Sequence, residues 1–224
     1  MMATATELRS LIVRLSDNAE RDLALLWAQL DAATVRDGLF DVLPALVSEY
    51  GDASAAVTAE WYDEYRSDLN VRGIYAADLA SPELGAQALA GWGSQLAQTN
   101  WDTALAQIAG GLILRVMNAS RQTVIDNTDH DPQAHGWMRV GVPECGWCAM
   151  LISRGSVYRS RTTADFAAHD NCKCGCCPAW DRGQITAVRS EFVPTARRRS
   201  AQAAEADRER AKRWIAENLP EYRT

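Results

Sequence analysis

Apolar residues recur at three- and four-residue steps along most of the first 130 positions, the period of helices that bury one face. Leu8, Leu11, Ile12, Leu15, Ala19, Leu23, Leu26, Trp27 and Leu30 form one stripe and predict a helix over 8–30. A second helix is predicted through Leu39, Leu43, Leu46, Val47 and Tyr50, with Pro44 near its start or kinking it and Gly51 stopping it. Asp52 is then expected to cap a third, through Ala56, Ala59, Trp61, Tyr62 and Tyr65. Residues 67–84 read as a looser connection broken by Gly73, Ser81 and Pro82, followed by a helix over 83–98. Asn100 opens a long helix carrying Leu105, Ile108, Leu112, Val116, Ala119 and Val124, which Asp129-His130-Asp131-Pro132 ends. These stripes are core faces, not ligand sites. Gly110-Gly111 inside the long helix costs about 1 kcal/mol per glycine relative to alanine, so another helix or chain is expected to approach closely there.

Beyond residue 132 the period changes. Trp137–Val142 and Val157–Ser160 are expected as short strands flanking a helix over Cys148–Arg154. All six cysteines fall between Cys145 and Cys177. Cys145-Gly146-Trp147-Cys148 turns two thiols to one side of a tight loop, and His169-x-x-Cys172-x-Cys174 offers a second set of ligands from a second loop. Two short-spaced groups about twenty residues apart are the signature of a zinc site. Disulfides fit less well, because Met1-Met2-Ala3-Thr4-Ala5-Thr6 leads into a charged helical pattern and not a signal peptide. A redox CxxC would follow a strand in a βαβ pattern, which is missing here. A catalytic zinc keeps one position open, whereas five candidates compete here for four positions. A structural zinc is therefore expected, with Cys145, Cys148, His169, Cys172 and Cys174 as candidate ligands. Cys145, Cys148 and His169 come first; Cys172 completes the set, or Cys174 replaces it if the loop turns once more. Cys176 and Cys177, just before Pro178, read as surplus.

The fold class that follows is mainly α. A helical domain over 1–132 precedes a small zinc-stapled α+β domain over 133–183, and a charged, helical tail covers 184–224. With 224 residues, 47% of them hydrophobic, the chain can bury a real core. A unit of some forty residues cannot do so alone, and a metal staple is the usual remedy. Net charge is -6, with about -8 in the first seventy residues, which disfavours direct nucleic-acid contact over the surface as a whole. The longest apolar run, Gly110-Gly111-Leu112-Ile113-Leu114, meets Arg115 and falls short of the ~20 residues a membrane span needs. In the tail, Arg197-Arg198-Arg199 precedes an alternating-charge segment from Glu205 to Arg213, where a pair such as Glu209–Arg213 supports a solvated helix with Trp214, Ile215 and Leu219 as apolar anchors. His130 and His135 beside Asp129 and Asp131 invite a catalytic reading with a serine, but no Gly-x-Ser-x-Gly elbow accompanies them and they read as loop histidines.

Trp137-Met138-Arg139-Val140, the CxxC followed by Ala149-Met150-Leu151, Ser153-Arg154-Gly155-Ser156-Val157-Tyr158 and the HxxCxC, in that order, resemble the phage Mu F-like minor head proteins. The versions carried by tailed phages of actinobacteria are the nearest in pattern. Glu60-Trp61-Tyr62-Asp63-Glu64-Tyr65-Arg66 resembles the front half of the same proteins, so the likeness spans roughly residues 10–180. The chain departs from the pattern in Cys176 and Cys177 and in Gly175 after the last family cysteine. The resemblance implies a minor capsid or head-morphogenesis protein at or near the portal, with the portal protein and other capsid components as partners and no membrane. It places the protein in the virion head, and in the host cytoplasm during assembly. It also implies an alternative, since such relatives are commonly labelled capsid maturation proteases. Against that label stand the missing nucleophile elbow and the missing HExxH helix. The acidic faces around Asp63 and Glu64 are either solvated surface or a docking surface for a basic patch on another capsid component.

Overall fold

The computed structural model describes residues 3–80, 84–142, 146–156, 158, 166, 168–180 and 201–222. Helix α1 runs Ala5–Trp27, ahead of its apolar stripe, because Thr4 and Glu7 form a capping box. The Glu7 N–H donates to Thr4 Oγ1 at 3.2 Å and the Thr4 N–H to the Glu7 carboxylate at 2.9 Å. The Thr-x-x-Glu spacing carried that signal in the sequence. The buried stripe is Leu8, Ile12, Ser16, Ala19, Leu23 and Trp27. Leu11, expected on it, is 40% exposed.

The two helices expected on either side of Gly51 are one, α2 (Val35–Asp68), which carries Pro44 inside it. Gly51 is a contact residue and not a stop: a Cβ there would lie 2.7 Å from Leu84 Cδ1. Asp52 does not cap a new helix; its carboxylate accepts from the Ser48 hydroxyl one turn back, at 3.1 Å. Helices α3 (Ala86–Thr99) and α4 (Trp101–His130) follow, and α2 and α4 pack along their length. Ser54 Oγ donates to the Val116 carbonyl at 2.8 Å and Thr58 Oγ1 to Ser120 Oγ at 2.7 Å, so the small polar residues on this seam are satisfied across it.

Strand β1 (Gly136–Val140) pairs antiparallel with β2 (Gly175–Ala179), Arg139 opposite Cys176 and Trp137 opposite Pro178. The partner of β1 in this sheet is thus Gly-Cys-Cys-Pro-Ala, read from sequence as the end of a loop. Of the strand expected over Val157–Ser160, only Tyr158 is among the described residues; it bridges the other edge of β1, its carbonyl accepting from the Trp137 N–H at 2.7 Å. Since the Trp137 N–H points away from β2, the missing N–H of Pro178 removes no ladder bond. Between the strands lies α5 (Gly146–Ile152).

Among the described residues two large apolar clusters and a smaller third make up the interior. One lies among α1, α2, α3 and α4, with Leu23, Leu39, Leu43, Ile108 and Leu112 fully buried. The other joins Leu8, Ile12, Trp61, Tyr62 and Met117 to Trp137, Cys148, Phe166 and the strand cysteines. The sheet and the cysteine block therefore share a core with the helices. Helix α6 (Ala201–Asn218) lays Ala211, Trp214 and Ile215, with Leu219 just past its end, against Met150, Leu151 and Trp147 of α5. Among the described residues it carries the ion pairs Glu205–Arg208 at 3.1 Å and Glu209–Lys212 at 2.7 Å, each three residues apart and exposed. The Arg197–Arg199 run lies outside the described residues. No helix among the described residues is long and apolar enough to cross a membrane.

Candidate metal centre

Helix α5 presents Cys148 inward, 4% exposed. The loop before β2 presents its donors through a tight turn: the Cys172 N–H donates to the His169 carbonyl at 3.1 Å, and Asn171 sits at φ +62°. Asparagine tolerates that left-handed geometry better than most residues. The turn lies on α4, where the Asn171 N–H reaches the Gly110 carbonyl at 3.4 Å. A Cβ on Gly110 would stand 2.7 Å from Asn171 Nδ2, and one on Gly111 2.7 Å from Leu89 Cδ1 of α3. The close approach expected at Gly110-Gly111 is thus made twice, on one side by a helix and on the other by the ligand loop.

Cys148 Sγ, His169 Nε2 and Cys172 Sγ all lie within 4.8 Å of one another, the thiols buried and the imidazole exposed, and the trio could hold a metal ion. Cys148 Sγ is 3.7 Å from His169 Nε2 and 3.9 Å from Cys172 Sγ. A tetrahedral ion bound by thiolates at ~2.3 Å and imidazole at ~2.0 Å sets its sulfurs about 3.8 Å apart and sulfur and nitrogen about 3.5 Å apart. The donor spacing fits. The tautomer fits too: His169 Nδ1 lies 2.7 Å from the Asp170 carbonyl, which can only accept, so Nδ1 carries the proton and the Nε2 lone pair faces Cys148.

The Cys174 thiol is buried as well but does not join the mutual trio with His169. The hydrogen bond with Cys148 pushes the Cys172 thiol down, and the Cys148 thiol rises in consequence. Cys145 lies outside the described residues. Cys176 and Cys177 are buried strand residues; burial pushes both thiols up, Cys177 to about 12.

Residues far away in sequence hold this loop. Arg9 Nε donates to the Lys173 carbonyl at 2.8 Å, and Lys173 Nζ meets Asp17 at 3.0 Å. Arg121 reaches the carbonyls of Cys172 and Cys174. None of these contacts has a local sequence signal, since each joins residues far apart in the chain.

The candidate nucleophiles and bases are placed elsewhere. Ser153 Oγ donates to the Met150 carbonyl at 2.8 Å, and Ser156 Oγ, fully buried, to Met138 Sδ at 3.4 Å. His130 is exposed at the end of α4, and His135 joins the sheet through its backbone N–H to Ala179 O at 2.8 Å. In the acidic segment Trp61, Tyr62 and Arg66 point inward, while Glu60, Asp63 and Glu64 are exposed. Asp63 Oδ1 also accepts from the Ala77 N–H at 2.9 Å.

Past the end of α5, Gly155 takes φ +63° and its N–H returns to the Ile152 carbonyl at 3.1 Å. A β-branched residue is a genuine outlier there. Gly155→Val is expected to lower stability by more than ~1 kcal/mol, read as a fall in the urea midpoint; an unchanged midpoint would contradict it.

The VG15 protein family model matches residues 2–191 and so covers the helical bundle, the sheet and every candidate ligand, ending before α6. No curated protein and no solved structure matches the chain. With the match running through the whole described core, the chain belongs to the VG15 protein family, a family of phage virion-associated proteins.

Proposed function

We propose that this is a minor capsid or head-morphogenesis protein of a tailed phage, acting at or near the portal, with a structural zinc that fixes its C-terminal α+β part. The observation that carries the reading is the convergence of Cys148, His169 and Cys172 within a chain of the VG15 family. Thiolate and imidazole donors on a helix and a loop suit zinc, and a site filled by protein ligands serves folding, not chemistry. The trio supplies three ligands, and Cys174 or Cys145 the fourth. The Mu F-like resemblance of the same block points to head assembly, with the portal protein and other capsid components as partners. Domains over 1–132, 133–183 and 184–224 remain the working division for truncation, although the second shares its core with the first.

An assembly protein works through surfaces. Alanine at Ser153, Ser156, His130 or His135 is therefore expected to leave particle assembly and capsid-protein length unchanged in variants that fold. A protease loses orders of magnitude in rate when its nucleophile or base is removed. Cleavage of the major capsid protein by the purified chain, abolished by one of these changes, would establish the maturation-protease alternative. Charge reversal at Glu64 is expected to reduce incorporation into heads, because an exposed acid on a docking face steers a basic partner. Glu64 is the cleaner choice than Asp63, whose carboxylate also holds the 77 loop.

A further inference from the structure

Arg121 projects from α4 into the interior and is 2% exposed. Its Nε donates to the Cys174 carbonyl at 2.9 Å, and its Nη2 to the carbonyls of Cys172 at 2.6 Å and Cys174 at 2.7 Å. Nη1 is anchored on Asn118 Oδ1 at 2.7 Å. The ring of Phe166 covers the guanidinium, its centroid 4.6 Å from Cζ, and Arg139 stacks on the same ring at 3.7 Å. Among the described residues no carboxylate pairs with Arg121; the groups that favour its charge are the thiols of Cys172, Cys176 and Cys174, and Arg139 opposes it. A buried cation without a counter-charge is strongly unfavourable.

The candidate ligands supply the missing charge. Any four of Cys145, Cys148, His169, Cys172 and Cys174 include at least three thiolates. Around a divalent ion such a set carries a net charge of -1 or -2, while the adjacent buried guanidinium carries +1. We infer that Arg121 is a positioning residue of the metal centre, its fork fixing the Cys172–Cys174 backbone in the ligand-presenting turn and its charge offsetting that of the thiolate-bound ion. This rests on the zinc reading above. It explains why a permanent cation sits where the loop's carbonyls alone could have been satisfied by a neutral donor. It also makes α4 a second support of the site, beside the Gly110 contact.

The test titrates Co(II) into metal-free full-length protein, with Zn(II) affinity read by chelator competition, in wild type, Arg121→Lys and Arg121→Gln. Lysine and glutamine both offer a donor to the carbonyls, but only lysine keeps the charge. Wild type is expected to bind one equivalent with tetrahedral d–d bands and sulfur-to-cobalt charge transfer. Arg121→Gln is expected to bind about 10–100-fold more weakly, with Arg121→Lys closer to wild type than to Arg121→Gln. Equal affinity in all three, or equal loss in both variants, overturns the inference while leaving the zinc reading intact. A wild type that binds neither metal overturns the zinc reading itself. Should Arg121→Gln fail to fold without metal, Asn118→Ala replaces it, freeing the guanidinium while keeping its charge. Chelator-driven metal loss several-fold faster than wild type is then expected, and a wild-type rate overturns the inference.

Discussion

Cys148→Ser is expected to abolish stoichiometric zinc binding and to disorder α5 and the 168–174 loop, while most of the far-UV helical signal survives. Among the described residues Cys148 is the donor that reaches both His169 Nε2 and Cys172 Sγ, at 3.7 and 3.9 Å. Without it the described donors that remain, His169, Cys172 and Cys174, stand on one loop and no longer tie that loop to α5. Apparent zinc-binding energies of about 10–16 kcal/mol in small sites are folding energy, so the local effect is large. It is also bounded, because β1 and β2 lean on α1, α2 and α4 through Leu8, Tyr62, Met117 and Trp137. Elemental analysis of protein purified without added metal should find about one zinc per chain in wild type and none in the variant. Near-UV dichroism should fall with it, since Trp137 and Phe166 stack beside the site, 5.6 Å between centroids. Cys177→Ser, whose thiol lies in the strand core, should keep its metal. Wild-type protein without metal and with an unchanged near-UV spectrum would end the zinc reading.

How much of this was legible in the sequence depended on range. The helices came from a 3.6-residue period, which each segment carries by itself. The ligand candidates came from spacings of two and three residues within two short segments, and the structure draws Cys148, His169 and Cys172 together from them. What failed needed distant partners. Gly51 looked like a stop because glycine weakens helices, yet its missing side chain makes room for Leu84 in the connection to α3. The strand Gly175–Ala179 has neither alternation nor β-branched residues, and it is a strand because β1 and α4 receive it. Arg121 and Arg9 support the loop from 53 and 164 residues away, a relation no local pattern encodes.

Asp131 is a further case of a long-range role, and Asp131→Ala is expected to cost about 3–5 kcal/mol, the usual penalty for orphaning a buried charge. Read from sequence, it ended a helix and flanked a histidine; in the structure it is 3% exposed and faces Arg66. Its Oδ2 accepts from Arg66 Nε at 2.9 Å, Trp180 Nε1 at 2.8 Å and the Tyr62 hydroxyl at 3.4 Å, and its Oδ1 from the Gln133 N–H at 3.0 Å. Arg66 spends its other donors on the carbonyls of Gly73 and Arg72, both at 2.9 Å. One carboxylate thereby ties the ends of α2, α4 and β2 to the 72–73 loop. Burial alone would raise its pKa, but the hydrogen bonds from Arg66, Gln133 and Trp180 outweigh it and hold the carboxyl below its ordinary 3.8. The unfolded chain therefore binds the proton more readily than the folded one. The stabilisation is fully present above about pH 4 and lost as pH falls through the lower native value. Wild type should lose stability on acidification with a component that Asp131→Asn lacks, so the gap between their urea midpoints should narrow below about pH 4. Acid release of a thiolate-bound metal is common to both proteins and cancels in that difference. Parallel curves down to pH 2 would show that the carboxylate contributes no charge-dependent stability, and near-identical midpoints for wild type and Asp131→Ala at neutral pH would remove the ion pair from the account of this fold.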